Sequence, residues 1–176
     1  MKLAYMMAPG RGDTDLMLHQ LSQRLIRQGY RPAGTVQINT ECADAGPCDM
    51  DVQVLPDGPT IRISQSLGPA AKGCRLDPQA LESAVALVEG GLANGADCLI
   101  VNKFGKHEAE GRGFRTVIAK ALELDIPVLV GLSGLNRTAF LDFSEGFATE
   151  LPPDPAALAD WVTSSVVVRS PALSAG

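Results

Sequence analysis

The sequence predicts a three-layer α/β domain on a mainly parallel sheet, with an inserted β-hairpin. Three observations carry this. Short apolar runs alternate with amphipathic stretches of helix length. Two of the runs, Cys98 to Val101 and Ile126 to Gly131, are apolar on both faces, as strands covered by helices on each side are. A glycine-rich turn, Ala8 to Thr14, joins the first run to the first helix.

Leu3 to Met7 reads as the first strand. After the glycine turn, Asp13 or Thr14 is expected to cap the helix. In that helix Met17, Leu21 and Leu25 recur every four residues, Leu18 and Ile26 widen the stripe, and Arg24, Arg27 and Gln28 face water. Gly29 ends it. Ala33 to Ile38 forms a second strand and Asn39 to Pro47 a loop. Met50 to Leu55 and Thr60 to Ser64 flank Pro56-Asp57-Gly58-Pro59, with Val52, Val54, Ile61 and Ile63 alternating with polar residues, which predicts the hairpin. Gln65 to Arg75 is a second glycine-rich loop.

Asp77-Pro78 supplies a cap and a first-turn proline for a helix to about Ala93, closed by Asn94-Gly95. Cys98 to Val101 belongs in the middle of the sheet. Phe114 to Leu124 is helical, Ile126 to Gly131 a buried strand, Ser133 to Arg137 a loop and Thr138 to Phe143 a short helix. Asp154 opens a last helix to about Val166, with Leu158, Trp161 and Val162 against the sheet. Residues 1–169 are expected to form one domain and 170–176 a mobile tail.

The 176 residues suffice for a single core, and a net charge of −5 argues against a nucleic-acid partner. No apolar run reaches the ~18 residues of a membrane span. Met1 to Met7 is too short for a signal peptide, so a cytoplasmic location is expected. Cys42, Cys48, Cys74 and Cys98 form no CxxC pair and read as free thiols, Cys98 as a core residue. The roles of Cys42, Cys48 and Cys74 stay open, and their spacing predicts no metal site.

The chemistry is expected where Leu99-Ile100-Val101 empties into Asn102-Lys103-Phe104-Gly105-Lys106-His107-Glu108, with Glu110 to Phe114 following. A parallel strand delivers its polar groups to the carboxyl edge of the sheet, where α/β folds bind ligands. Lys103, Lys106 and Arg112 are three cations within ten residues. They can form an oxyanion site that the Gly111–Gly113 backbone lets a ligand approach, or a solvated loop paired with Glu108 and Glu110. Asn102 is placed to contact a ligand or to hold the loop, and His107 to act as an acid/base or simply to be exposed. Arg62, Lys72, Cys74 and Arg75 can approach from the hairpin side, and Ser133 and Asn136 share the edge by topology or form a turn.

Ala8 to Asp15 stands where a Walker loop would read GxxxxGK[ST]. Gly10, Gly12 and Thr14 keep the strand–glycine–helix context of an anion site, but no Lys is present, and Asp13 and Asp15 would repel a triphosphate. Arg11 is the only local cation. A capped turn without ligand fits the segment equally well.

This arrangement resembles the small P-loop nucleoside-triphosphatase family first described from thermophiles, whose central strand ends in Asp-Glu-Ile-Gly-x-x-Glu. Gly105 and Glu108 match that outline, while Asn102 and Lys103 replace the two acids. The resemblance implies a P-loop-NTPase-like topology. The chain also resembles a bacterial domain-of-unknown-function family, number 2478, through Cys48-Asp49-Met50, Ile61 to Gln65, Gly73 to Asp77 and Asn102 to Phe114. That likeness implies a setting beside molybdate-transport genes.

The favoured expectation is a cytoplasmic protein binding a small anion, a nucleotide phosphate or a metal oxyanion such as molybdate, with little or no NTP hydrolysis. One alternative is a divergent nucleoside triphosphatase that would need Mg²⁺, with Lys103 or Lys106 on phosphate and Glu108 orienting water. Another is a ligand-free regulatory module linked to molybdate metabolism. A homodimer or a molybdate-transport-linked partner would suit any of these.

Overall fold

A computed structural model describes residues 2–39, 49–65 and 75–166. In chain order its elements are β1 (Leu3–Met6), α1 (Asp13–Arg27), β2 (Pro32–Asn39), β3 (Met50–Leu55), β4 (Thr60–Arg62), α2 (Pro78–Ala93) and β5 (Cys98–Val101). There follow α3 (Lys106–Ala109), α4 (Arg115–Glu123), β6 (Val128–Gly131), a 3-10 turn (Gly134–Asn136), α5 (Arg137–Phe143), β7 (Thr149–Leu151) and α6 (Pro155–Ser165). The expected loops at Asn39–Pro47 and Gln65–Arg75 lie largely outside the described residues, as do Lys72, Cys42, Cys48, Cys74 and the tail.

The strands form one sheet in the order β4-β3-β2-β5-β6-β1-β7. β2, β5, β6, β1 and β7 run parallel, and the β3–β4 hairpin continues the sheet antiparallel beyond β2. β5 is central because all four of its residues are apolar and buried, which a strand needs when helices cover both faces. Alternating side chains feed two cores. Leu3, Tyr5, Leu99, Val101, Val128 and Val130 pack under α2 and α4, while Ala4, Met6, Cys98, Ile100 and Leu129 pack under α1 and α6. This is the three-layer α/β arrangement that the alternation predicts.

Close backbone approach fixes two glycines. Gly34 on β2 has φ 119°, and a Cβ there would sit 1.8 Å from the Ile100 carbonyl oxygen on β5. At Gly131, the end of β6, a Cβ would lie 2.1 Å from the Asn102 carbonyl oxygen and 2.9 Å from Leu18 and Thr14 side-chain carbons. The first turn of α1 therefore presses on the carboxyl end of the sheet, beside the end of β5.

Asp77 and Asp154 cap α2 and α6 as expected, accepting from backbone N–H groups of Gln79 and Ala80, and of Ala157. At α1 the expectation fails. The cap is Gly12, in the left-handed region at φ 85°, and neither Asp13 nor Thr14 caps the helix. Thr14 turns its hydroxyl back to accept from Ala8 N–H at 3.2 Å, closing the turn instead. Sequence reading also missed β7, where only Leu151 of three residues is buried, and α3, which it left within a polar loop.

Tyr5 ties β1 to its neighbours. Its hydroxyl donates to Glu150 on β7 at 2.8 Å and accepts from Arg137 on α5 at 3.3 Å. Burial, with Glu150 beside it, raises the Tyr5 pKa, and the Tyr5 hydrogen bond, followed by Arg137, lowers that of Glu150. Cys98 is a free thiol enclosed in the core, where burial pushes its pKa up to about 12.

Candidate functional site

Beyond the carboxyl ends of β2, β5 and β6 the protein holds a crevice of about 370 Å³. α/β folds bind ligands at this edge because helix N-termini and loops converge there. A separate hollow of about 510 Å³, around Pro56–Pro59 and Asn94, borders the start of β2 and lacks that convergence. The floor of the crevice is apolar: Met50, Val52, Ile63, Leu76, Leu81 and Phe114. Its polar lining comprises Thr35, Gln37, Asn102, Lys103, Lys106, His107, Glu108, Ser133 and Asn136, with Leu135 at the lip.

Asn102 is the hub between this crevice and the glycine turn. It is 4% exposed. Its Oδ1 accepts from the Gln37 backbone N–H at 2.9 Å, and its Nδ2 donates to Asp15 Oδ1 at 2.8 Å. One partner only donates and the other only accepts, which settles how the amide points. The contact explains two unusual features of the sequence together: an acid in the first turn of α1 requires a donor at the strand end, and an amide supplies one. Asn102→Asp would set two carboxylates at that distance, out of full contact with water. The new carboxyl would have its pKa raised, so the penalty is present at neutral pH and relieved as pH falls through the raised value. The expected cost is about 2–4 kcal/mol at pH 7, smaller at pH 5, measured by urea unfolding of both proteins. Equal stability at pH 7 would refute the contact.

The Pro9–Asp15 turn carries its own negative charge. The Asp13 carboxylate folds over Gly10, where a Cβ would meet it at 2.0 Å. Arg11 is exposed and does not line the crevice. Gly10, Gly12 and Thr14 thus build a closed turn in which two acids, Asp13 and Asp15, outnumber the exposed Arg11, an unfavourable seat for polyphosphate.

Glu108 is committed to the backbone. It is 3% exposed, and accepts from Gly105 N–H through Oε2 at 2.8 Å and from Phe114 N–H through Oε1 at 3.2 Å. The first bond is the returning half of a capping box for α3. Through these two bonds Glu108 braces the loop, and its side chain also lines the crevice. Gly113, at φ 60°, is small for the same reason. A Cβ there would lie 2.2 Å from Glu108 Oε1, so the close approach it permits is to this side chain rather than to a ligand.

His107, read from sequence as an acid/base or as simply exposed, is buried too, so the second of those readings fails. Its Nε2 lies 2.9 Å from Glu82 Oε1 on α2, so Nε2 carries the proton and donates. The same Glu82 oxygen accepts from Gly113 N–H at 2.9 Å, which fastens the loop to α2.

The cations divide into two groups. Lys103 and Lys106 are exposed at the crevice margin. Lys106 makes a loose pair with Glu110 at 3.7 Å, and Lys103 has no ion-pair partner among the described residues. Arg112 pairs with Glu110 and does not line the crevice, and both Arg112 and Lys106 hold the Glu110 carboxyl below its ordinary pKa, Arg112 foremost. Arg62 and Arg75 are drawn to acids of the hairpin, Arg62 to Asp49 and Asp51 and Arg75 to Asp49. Neither reaches the crevice. Ser133 and Asn136 do, with Asn136 Nδ2 donating to Ser133 Oγ at 3.4 Å. Sequence reading missed Thr35, Gln37 and Glu82, whose partners are remote in the chain, and the apolar floor, which is indistinguishable from core until the strands are ordered. Among the described residues no His, Cys, Asp and Glu side chains cluster as a metal site. No helix among them is long and apolar enough to cross a membrane.

A family profile described as a protein of unknown function (DUF2478) matches residues 3–161. The chain is also 37% identical over 141 residues to "Molybdenum import ATP-binding protein ModC 2" of Bradyrhizobium diazoefficiens. That alignment takes in 79% of this chain and 16% of the relative, so the chain spans only a small part of the relative's length. In three dimensions it resembles the solution structure of a human cancer-related nucleoside triphosphatase, with TM-score 0.62 and 20% identity over 97% of this chain and 100% of the other. At that identity the likeness is one of fold, and it agrees with the topology that the P-loop resemblance implies.

Proposed function

This chain belongs to the family described as protein of unknown function DUF2478, and on that footing we propose that it binds a small anion at the β5 crevice without efficient NTP hydrolysis. The observation that carries the proposal is the distribution of charge around one sheet edge. Lys103 and Lys106 stand at the crevice margin, while the turn that would cradle phosphate in a P-loop protein holds Asp13 and Asp15. Association with an anion is favoured at the first place and opposed at the second. At the strand end, where the resemblance would place a Mg²⁺-binding acid, stands Asn102, bonded to Asp15, and Glu108, the candidate for orienting water, accepts from two backbone N–H groups. Phosphoryl transfer would proceed without a main source of charge stabilisation.

The anion is a nucleotide phosphate or a metal oxyanion, and the protein acts in the cytoplasm. The printed name of the Bradyrhizobium relative favours including molybdate among the candidates. The test is a thermal-shift series with nucleotides, phosphate, sulfate, molybdate and tungstate. A ligand of the native state raises Tm by mass action, by about 2.7 kcal/mol of stability at a hundredfold excess over Kd. Lys103→Ala and Lys106→Ala are expected to fold normally, since both side chains are exposed, and to weaken the shift about tenfold in ligand concentration. Efficient magnesium-dependent NTP hydrolysis by the unsubstituted chain would overturn the proposal.

A further inference from the structure

We infer that the occupant of the crevice is a phosphomonoester of a flat heterocycle, a nucleotide-like organic anion, rather than a bare oxyanion; this rests on the anion-binding reading above. Three observations point the same way. The cavity, at about 370 Å³, falls in the range of organic-ligand sites, roughly 300–1,000 Å³, whereas a tetrahedral oxyanion would occupy a small part of it. Its floor is apolar, with half-buried Met50 and Leu76 open to the cavity above the buried Val52, Ile63, Leu81 and Phe114. A bare oxyanion has no apolar surface to cover such a floor. A flat ring does.

Leu135 supplies the second observation. It stands at the lip of the cavity and is 96% exposed, on a 3-10 turn between Ser133 and Asn136. A leucine there gains burial only when something apolar lies beneath it. The polar groups supply the third. Ser133 and Asn136 flank Leu135 with hydroxyl and amide groups suited to ring or sugar edges, and Lys103 and Lys106 supply charge on the β5 side. Two lysines, one of them shared with Glu110, match one phosphate better than three, and Asp13 and Asp15 on the adjoining turn oppose a longer polyphosphate chain.

The experiment is isothermal titration of the full chain with adenosine monophosphate, guanosine monophosphate, adenosine, inorganic phosphate and molybdate. At least one monophosphate is expected to bind ten times or more tighter than inorganic phosphate or molybdate. Lys103→Ala should weaken the monophosphate about tenfold and leave adenosine unchanged. Leu135→Ser, on an exposed side chain that the fold does not need, should weaken the monophosphate and adenosine three- to tenfold and leave inorganic phosphate unchanged. If inorganic anions bind as tightly as the monophosphates and Leu135→Ser has no effect, the inference fails while the anion-binding reading stands. If no anion binds, both fail together.

Discussion

Glu108→Ala is expected to cost the fold about 3–5 kcal/mol, measured by urea unfolding. The carboxylate is buried and accepts from two backbone N–H groups on either side of α3, those of Gly105 and Phe114. Hydrogen bonds to an ionised acceptor contribute about 1.5–3 kcal/mol each, and removing the acceptor strands both donors away from water. Glu108→Gln should lose about half as much, because an amide oxygen can serve one of the two donors while its NH₂ faces the other. Wild-type stability in Glu108→Ala would refute this bracing role. The result also governs how any activity assay is read. Loss of NTP hydrolysis in Glu108→Ala would report an altered loop as readily as a missing catalytic group, and the unfolding measurement on the same variant is what separates the two.

Gly34→Ala is the second large effect, about 3 kcal/mol or more. Its cause is entirely backbone. The residue holds φ 119°, which an L side chain rarely adopts, and the added methyl would meet the Ile100 carbonyl oxygen at 1.8 Å. Relief requires β2 to move from β5, and Asn102 depends on that spacing to accept from Gln37 N–H. The crevice should therefore lose ligand response together with stability. Gly90→Ala is the control: nothing lies within 4 Å of a Cβ there, and on the exposed face of α2 it should gain up to about 1 kcal/mol. Comparable unfolding midpoints for the two variants would show that the β2–β5 contact is not tight.

Periodicity disclosed most of the architecture because burial on both faces leaves a direct mark on composition. β5 and β6 are apolar at successive positions, and the Asp-Pro starts of α2 and α6 are capping chemistry confined to adjacent residues. The site was harder to read for a physical reason. Whether a charged side chain is available depends on partners that spacing does not reveal. Glu108 and Glu110 are alike in sequence, yet one is sealed against backbone and the other paired at the surface. His107 meets Glu82 from another helix, and Arg62 and Arg75 are spent on Asp49. Lys103 and Lys106 reach the crevice edge because no comparable close partner draws them away among the described residues.

The hydrogen bond between Asn102 and Asp15 makes the two residues depend on each other's identity. Asn102→Asp beside Asp15 sets carboxylate against carboxylate, whereas Asp15→Asn beside Asn102 leaves an amide that must reorient to keep its bond. Restoring a Walker-type site one residue at a time would therefore pass through a damaged intermediate. An acid at residue 102 is tolerated only once Asp15 has been replaced. In a double-mutant cycle the pair should be strongly non-additive, so the order in which such changes accumulate decides which routes between the two kinds of site are open.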